Sequence, residues 1–311
     1  MRGVSSATHV PETSRHEDEL EADDAWHTLR RCGPSLAVES FRRFRYADGF
    51  SHSRALGLQI CLAALPLVVA LVGLAGSVSG EVAQVLRAVV IALTPGVSQE
   101  LVTATLDEQP SSGGARLALW IGLVSALAVL TTAMAQVERG ANRIYGVERD
   151  RPFVRRYARA AVMAVVAGLP ALAGFVLLVG SGPAGDAVQE IYGRDDDVVQ
   201  AVAVPVGALL LVASVTAMFR HGPRRLQPGW SWLALGGLVV LALWSALTAG
   251  VVEYVELSAS FTTVYGPLAV VVALLLWGQL TSVAIYLGLA VAAQLEAVRA
   301  GVERGARQDV A

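Results

Sequence analysis

Uncharged, mostly apolar stretches alternate with short charged segments along the whole chain. They cover residues 55–80, 117–137, 160–185, 198–219, 226–252 and 257–295, which together make just over half of the 311 residues. A helix needs roughly 20 apolar residues to cross the hydrocarbon core of a bilayer. The pattern therefore predicts an all-α polytopic membrane protein with six transmembrane helices, at about 56–78, 117–137, 160–182, 198–219, 230–252 and 267–292.

Three further segments have a helical period but are too short to span a membrane. Residues 36–45 place apolar and arginine side chains on opposite helical faces, which is typical of a basic helix in the inner interface; a plain linker is the alternative. Residues 82–93 repeat apolar side chains at helical spacing, and residues 97–105 continue a weaker stripe. We therefore expect one inner interfacial helix, and two outer amphipathic helices between spans 1 and 2 that form either a passive cap or a gate.

Composition excludes a soluble globular protein, because 54% of the residues are hydrophobic and only 16% are charged, against about a quarter in soluble domains. All 24 basic residues are arginines, and 21 of them lie in tails and loops on one side of the predicted topology. Basic residues favour the cytoplasmic side, so we expect both termini in the cytoplasm and the spans in a bacterial cytoplasmic (inner) membrane. The predicted organisation is a disordered acidic cytoplasmic tail at 1–34, a membrane domain at 35–297 and a cytoplasmic tail at 298–311.

Catalytic and cofactor-binding motifs are missing from the sequence. Its five histidines are scattered without metal-ligand spacing, and neither a nucleotide-binding glycine loop nor a nucleophile elbow is present. The predicted cytoplasmic loops, of about 22 and 10 residues, are too short for a soluble catalytic domain. We expect a protein that is not an enzyme, with no cofactor, no bound metal and no nucleic acid as a partner.

Polar side chains inside the spans form stripes on two helices. One face of span 2 and one face of span 6 each carry three of them: Ser125, Thr132 and Gln136, and Gln279, Ser282 and Tyr286. Polar groups at membrane depth need partners, because lipid offers none. These residues either hydrogen-bond neighbouring helices or line an internal polar cavity.

Ionisable side chains, which channels and ion-coupled transporters commonly bury in their spans, are absent from the six apolar stretches. The nearest acidic pair is Glu253 and Glu256, on one helical face just beyond the outer end of span 5. This outer acidic pair either binds a cation or a basic head group, or forms a solvated helix end.

Three blocks of the sequence resemble a known family. Residues 41–76 begin FRRFRYADGF and run into a span with a Leu-Pro-Leu element, residues 138–155 read ERGANRIYGVERDRPFVR, and residues 264–297 begin VYGPL and contain LLLWGQ. They are similar to motifs of the YihY/BrkB family of bacterial inner-membrane proteins, also called virulence factor BrkB and formerly labelled ribonuclease BN. The matching residues are Asn142, Tyr145, Gly146, Arg151, Tyr265, Gly266, Trp277 and Gly288. Ala290 stands where the family tends to have a glutamate.

The resemblance implies six helices with cytoplasmic termini and a role in envelope integrity or export. We interpret the chain as a transporter or exporter of a lipid or amphipathic envelope component, with membrane lipids as partners and an oligomer left open. The alternative is a non-transporting scaffold that binds lipid or envelope-assembly partners. A transporter needs a continuous path, for which the stripes of spans 2 and 6 are the candidates in the sequence, whereas a scaffold needs only surfaces.

Overall fold

Most of the residues that the structure describes are helical. The computed structural model describes residues 6–12, 22–78, 84, 87, 90, 91, 112–192, 196–257 and 267–307. Its helices are, in chain order, α1 (Ala22–Cys32), α2 (Pro34–Tyr46), α3 (Gly49–Ser77), α4 (Ser112–Ile144), α5 (Phe153–Met163), α6 (Leu169–Tyr192), α7 (Asp196–His221), α8 (Trp230–Leu257) and α9 (Pro267–Arg299). A π-helical turn, Ala164–Gly168, joins α5 to α6 without a break.

Six helical segments within the described residues are long and apolar enough to cross a membrane. They are Gly49–Ser77, Gly113–Ile144, Phe153–Gly180, Gln200–His221, Trp230–Tyr254 and Val271–Arg299. Span 1 is α3, span 2 is α4, span 3 runs from α5 through α6, and spans 4, 5 and 6 are α7, α8 and α9. The prediction of an all-α protein with six transmembrane helices is confirmed. Several helices are longer than the predicted spans, because the apolar stretch marks only the part of a helix that suits the bilayer.

Neighbouring spans meet through glycines that allow close backbone approach. A Cβ added to Gly57 of span 1 would lie 2.9 Å from Cα of Gln279 in span 6, and one added to Gly174 of span 3 would lie 2.7 Å from the carbonyl oxygen of Gly207 in span 4. Small residues at such crossings are the usual basis of helix packing in membranes. The helix contacts give the order 2, 1, 6, 5, 4, 3 around the bundle.

Two segments that are far apart in the sequence lie side by side at one end of the bundle. The Thr8 N–H donates to the Gly305 carbonyl at 3.0 Å, and the Arg307 N–H donates to the Ser6 carbonyl at 3.1 Å. Loop 145–152 and loop 222–229 lie at this same end, where the Val10 N–H donates to the Tyr145 carbonyl. We call this end of the bundle the polar end.

Two parts of the predicted tail at 1–34 are folded, which corrects the expectation of a disordered segment there. Residues 6–12 bury Ala7 and Val10 completely, and α1 packs against α8 and α9. An ion pair of 3.3 Å between Asp24 and Arg299 joins α1 to the end of span 6. The acidic composition suggested a solvated tail, but apolar contacts hold these two parts against the bundle.

The predicted interfacial helix is present as α2, but its orientation differs from the prediction. Leu36, Ser40 and Phe44 are buried as expected, whereas Arg43, predicted to face away, has no exposed surface. Phe41 is exposed instead. The reason is that α2 packs against span 6, whose end supplies polar partners for Arg43.

Several predicted features lie outside the described residues. The two outer amphipathic helices, at 82–93 and 97–105, are among them apart from the single positions 84, 87, 90 and 91. So are Tyr265 and Gly266 of the family motif. The location of both termini in the cytoplasm stays a prediction.

Candidate functional site

A cavity of about 270 Å³ lies between the six spans, and every span contributes to its wall. One wall residue from each span, in order, is Ile60, Met134, Phe175, Val215, Trp244 and Trp277. These side chains all lie within the uncharged stretches of their helices, so the cavity lies at membrane depth. A hydrocarbon wall at this depth suits an apolar ligand.

Two polar side chains interrupt the apolar wall: Gln59 of span 1 and Thr281 of span 6. Gln59 Oε1 and Thr281 Oγ1 are buried and have no hydrogen-bond partner among the described residues. Such a buried polar atom destabilises a protein by roughly 1–3 kcal/mol. Because both atoms are buried, the surface that the cavity presents to a ligand is almost entirely hydrocarbon.

Aromatic rings hold one side of the cavity in a fixed shape. The Trp277 indole, one of the family-motif residues, donates from Nε1 to Thr248 Oγ1 of span 5 at 3.2 Å. Its ring centroid lies 5.5 Å from that of Phe175 in span 3, and Phe175 makes an edge contact with Trp244. Spans 3, 5 and 6 thus meet through rings whose faces form the wall.

The six residues predicted to line a polar cavity do not line this one. Ser125 is exposed on the outside of span 2. The Thr132 hydroxyl donates to the Val129 carbonyl at 2.7 Å, and the buried Ser282 hydroxyl donates to the Gly278 carbonyl at 2.9 Å. A hydroxyl that bonds a carbonyl of its own helix needs no other partner, so these polar positions are compatible with a helix in apolar surroundings.

The remaining members of the two stripes join helices. Tyr286 Oη donates to the Gln136 carbonyl at 3.0 Å, and Gln136 Nε2 lies 2.9 Å from His52 Nδ1. Gln279 is half-buried, with its backbone against Gly57. The structure thus replaces the predicted polar cavity with an apolar one. Its wall on span 6 consists of Trp277, Thr281 and Ile285, which recur at a spacing of one helical turn.

The family-motif block after span 2 ends the helix and ties it to a neighbouring loop. Gly146 has a positive φ of 70°. Its N–H donates to the Arg143 carbonyl, and the Val147 N–H donates to the Asn142 carbonyl at 2.8 Å, the pattern of a glycine-capped helix end. The Asn142 side chain donates to Asp150 at 2.9 Å and accepts from the Arg224 N–H at 2.7 Å. These contacts serve the fold of the polar end.

Two further motif residues, Arg151 and Gly288, also make contacts that hold the fold together. Arg151 pairs with Glu138 at 3.0 Å and donates to the carbonyls of Gly222 and Pro223 in loop 222–229. A Cβ added to Gly288 of span 6 would lie 2.8 Å from the carbonyl oxygen of Gly236 in span 5. Both residues therefore fix distances between elements of the bundle.

The outer acidic pair lies at the end of span 5 opposite the polar end. Glu253 is exposed, as in a solvated helix end. The side chain of Glu256 lies outside the described part of the chain. The alternative of a bound cation or basic head group stays a prediction.

A buried ion pair occupies the polar end. Arg225, from loop 222–229, donates two hydrogen bonds to the Glu296 carboxylate of span 6, at 2.8 and 2.6 Å. Its guanidinium lies 4.5 Å from the centroid of the Tyr145 ring, and it also donates to the Pro11 carbonyl at 2.9 Å. Burial by itself lowers the pKa of Arg225, but the hydrogen bonds and charge of Glu296 outweigh it and raise this pKa. Burial also raises the pKa of Tyr145, so its phenol stays neutral.

Arg43 is a second buried cation beside this pair. Its Nε donates to Gln294 Oε1 at 2.8 Å, and its Nη1 donates to the carbonyls of Thr8 and Ile144 at 2.7 and 3.0 Å. Burial lowers its pKa to about 10, so the guanidinium remains charged at neutral pH. We call Arg43, Tyr145, Arg225, Gln294 and Glu296 the polar hub.

The polar hub could not be predicted from the sequence. By their positions near the ends of spans, Arg43 and Arg225 resemble ordinary arginines at the membrane surface. The available signal was Glu296, an acid that follows the longest uncharged stretch and has apolar neighbours on both sides in the sequence. A buried acid in that position needs a cation, but the sequence does not indicate which arginine supplies it.

The comparisons with known proteins agree with this architecture. The family model for virulence factor BrkB matches residues 40–311. A UPF0761 membrane protein of Rhodospirillum centenum is 28% identical over 83% of this chain, and the ribonuclease-like protein YfkH of Bacillus subtilis is 23% identical over 82%. The alignment covers 57% of the length of the first and 92% of the second. No solved structure matches the chain.

The match to the family model includes all six spans and the polar hub. Another relative, a UPF0761 membrane protein of Alteromonas mediterranea, is 30% identical over 54% of this chain and 56% of its own length. The apolar helices and the names of these relatives indicate a multi-pass membrane protein, consistent with the bacterial inner membrane. The chain belongs to the virulence factor BrkB family.

Proposed function

We propose that this protein transports a lipid or another amphipathic component of the cell envelope, and that the cavity between the six spans holds the component's hydrocarbon chain. The observation that carries the proposal is the apolar cavity at membrane depth, to which every span contributes. Moving such a component outward would contribute to envelope integrity, and the proposal assigns no chemical reaction to the protein.

The size of the cavity supports a bound ligand. A volume of about 270 Å³ left empty would deprive the side chains of its wall of packing partners on that side. Hydrocarbon from the surrounding bilayer would supply those contacts, whereas water would find almost no polar partners along an apolar wall and is therefore a poor filler.

The polar hub determines which end of the cavity such a component could use. Arg43, Arg225 and Glu296 have at most 1% of their side-chain surface exposed, so they close the polar end of the bundle. The arginine distribution assigns this end to the cytoplasm. The conformation described here would then be closed toward the cytoplasm, and transport would require a second conformation.

A substitution that fills the cavity tests the proposal. Ala171 lines the cavity, whereas Ala173, two residues further along α6, is exposed on the outside of the bundle. We expect Ala171→Phe to lose the lipid that wild-type protein retains after gentle solubilisation, and Ala173→Phe to keep it. Native mass spectrometry would measure the retained lipid, and size-exclusion chromatography would check folding. Equal retention in the two variants would contradict the proposal.

Transport itself needs a separate measurement. In liposomes that contain a fluorescent phospholipid, chemical quenching of the outer leaflet reports how fast lipid crosses the bilayer. We expect wild-type protein and Ala173→Phe to raise this rate and Ala171→Phe to raise it much less. If liposomes with each of the three proteins show the same rate as protein-free liposomes, although the wild-type protein retains lipid, the protein binds lipid without moving phospholipid.

A non-transporting scaffold is the alternative function. A wider pocket of about 550 Å³ at the polar end supports it, because side chains of both charges, including Glu12, Glu148, Arg149 and Arg224, line this pocket. Such a surface could bind a partner protein on the cytoplasmic side. The transport proposal is preferred because it also accounts for the cavity between the spans.

A further inference from the structure

We propose that a lipid acyl chain reaches the cavity sideways from the bilayer, through an opening between spans 2 and 3 beside Gly168 and Leu130. This inference rests on the proposed function, since it assumes that the cavity holds a hydrocarbon chain. Three features of the structure carry it: the unequal closeness of the helix contacts, the π-helical turn, and the position of the cavity wall.

At five of the six contacts between neighbouring spans, a glycine lies directly against the facing helix. A Cβ added to any of these glycines would collide with, or press closely on, the facing helix: Gly73 on Leu119, Gly57 on Gln279, Gly236 on Gly288, Gly237 on Val212, and Gly174 on Gly207. The sixth contact, between spans 2 and 3, is different. A Cβ added to Gly168 would meet only Leu130 Cδ1, at 3.8 Å, which is an ordinary van der Waals contact and not the close approach found at the other five.

Span 3 changes its neighbour at the π-helical turn. Before the turn, α5 packs against span 2; after it, α6 packs mainly against span 4. The Leu169 N–H donates to the Ala164 carbonyl five residues earlier, and the Ser214 hydroxyl of span 4 donates to the Ala167 carbonyl at 2.7 Å. Pro170, which has no N–H, follows at once. Such turns are known to redirect helices and often occur at functional sites.

The cavity wall continues to this place. Leu130 and Gly168 are both wall residues, and so are Leu172 and Phe175 on the part of span 3 that has left span 2. Leu172 and Phe175 are half-buried. Leu127, about one helical turn before Leu130, and Leu169, about one turn before Leu172, are exposed. An apolar surface therefore runs from the outside of the bundle to the cavity. Because this outside faces the bilayer, the group that meets the opening is an acyl chain of a membrane lipid.

The exchange rate of the bound lipid tests the opening separately from its occupancy. The probe is phosphatidylethanolamine with deuterated acyl chains, added to protein that retains unlabelled lipid, with native mass spectrometry to follow the replacement. We expect Gly168→Phe to slow the exchange at least tenfold while the cavity stays occupied. Gly250→Phe is the matched control, because a Cβ added to Gly250 would meet no atom within 4 Å and Gly250 is exposed on span 5, and it should exchange at the wild-type rate.

A second variant keeps the test decisive if Gly168→Phe does not fold. Leu130→Ala widens the opening and should speed up the exchange severalfold. If the folded Gly168→Phe and Leu130→Ala variants exchange lipid at the wild-type rate while Ala171→Phe loses its lipid, the proposed opening is wrong and the proposed lipid cavity stands. An absence of retained lipid in the wild-type protein would overturn both.

Discussion

Removal of Arg225 tests whether the polar hub holds the bundle together. The Arg225 side chain has 1% of its surface exposed and the Glu296 side chain has none, and the N–O distances between them are 2.8 and 2.6 Å. Arg225→Met keeps the length and most of the apolar part of the side chain. It leaves Glu296 as a buried acid without its cation and removes the contact with the Tyr145 ring.

The expected loss is large because the pair is buried. Removing one partner of a buried ion pair destabilises a protein by about 3–5 kcal/mol, since the other charge stays desolvated. For a chain of this size, such a loss corresponds to a fall of the midpoint of thermal unfolding on the order of 10 °C. The double variant Arg225→Met with Glu296→Met removes both charges, and its stability should lie closer to wild type than that of either single variant.

Thermal unfolding in detergent, followed by tryptophan fluorescence, measures these differences. The matched control is Arg42→Met on α2, because Arg42 pairs with Glu39 at 2.8 Å but is 57% exposed. An exposed pair contributes less than about 1 kcal/mol, so the control should unfold within a few degrees of wild type. Two results would show that the buried pair does not stabilise the bundle. One is an Arg225→Met variant that unfolds at the same temperature as the control. The other is a double variant that loses as much stability as the two single variants combined.

Three other predictions concern orientation, the loop after span 2, and span 6. Reporter fusions should read cytoplasmic after Arg151, His221 and Arg304 and external after Gly113, Asp196 and Glu256, and an external reading after Arg151 refutes the assigned orientation. Asn142→Ala, which loses two side-chain hydrogen bonds, should lower the yield of monodisperse protein but not the lipid retained per folded molecule; normal yield with lost lipid contradicts this. Ser282→Cys, in a chain lacking Cys32 and Cys61, should resist a hydrophilic maleimide because Ser282 has no exposed surface. Arg42→Cys in the same background should react. Rapid labelling of both cysteines would contradict the burial of Ser282 away from water.

The six spans could be predicted because their signal is local. Each is a run of apolar residues long enough to cross a bilayer, and lipid selects such runs whatever their neighbours are. The glycine cap at Gly146 is local in the same way, since its positive φ depends on a few residues of one helix end. Both features follow from short stretches of sequence.

The polar hub and the cavity depend on residues that are distant in the sequence. Arg42 and Arg43 are neighbours with the same side chain, and only the position of Gln294 and residues 6–12 makes one exposed and the other buried. Polar residues in spans were an unreliable guide to a cavity, because Thr132 and Ser282 bond carbonyls of their own helices. The actual wall is apolar, so no residue type distinguishes it from the lipid-facing side of the same helices.

The pairing of residues 6–12 with residues 304–307 also affects how the protein is made. Thr8 bonds to the backbone of Arg304 and Gly305, and Arg43 bonds to Thr8 and Gln294. A ribosome that adds roughly 5–20 residues per second releases the first partner about 15–60 seconds before the last one. During that interval Thr8 lacks its partners at Arg304 and Gly305, and Arg43 lacks Gln294, because these residues have not yet been synthesised. The polar end can therefore close fully only after the sixth helix has been made.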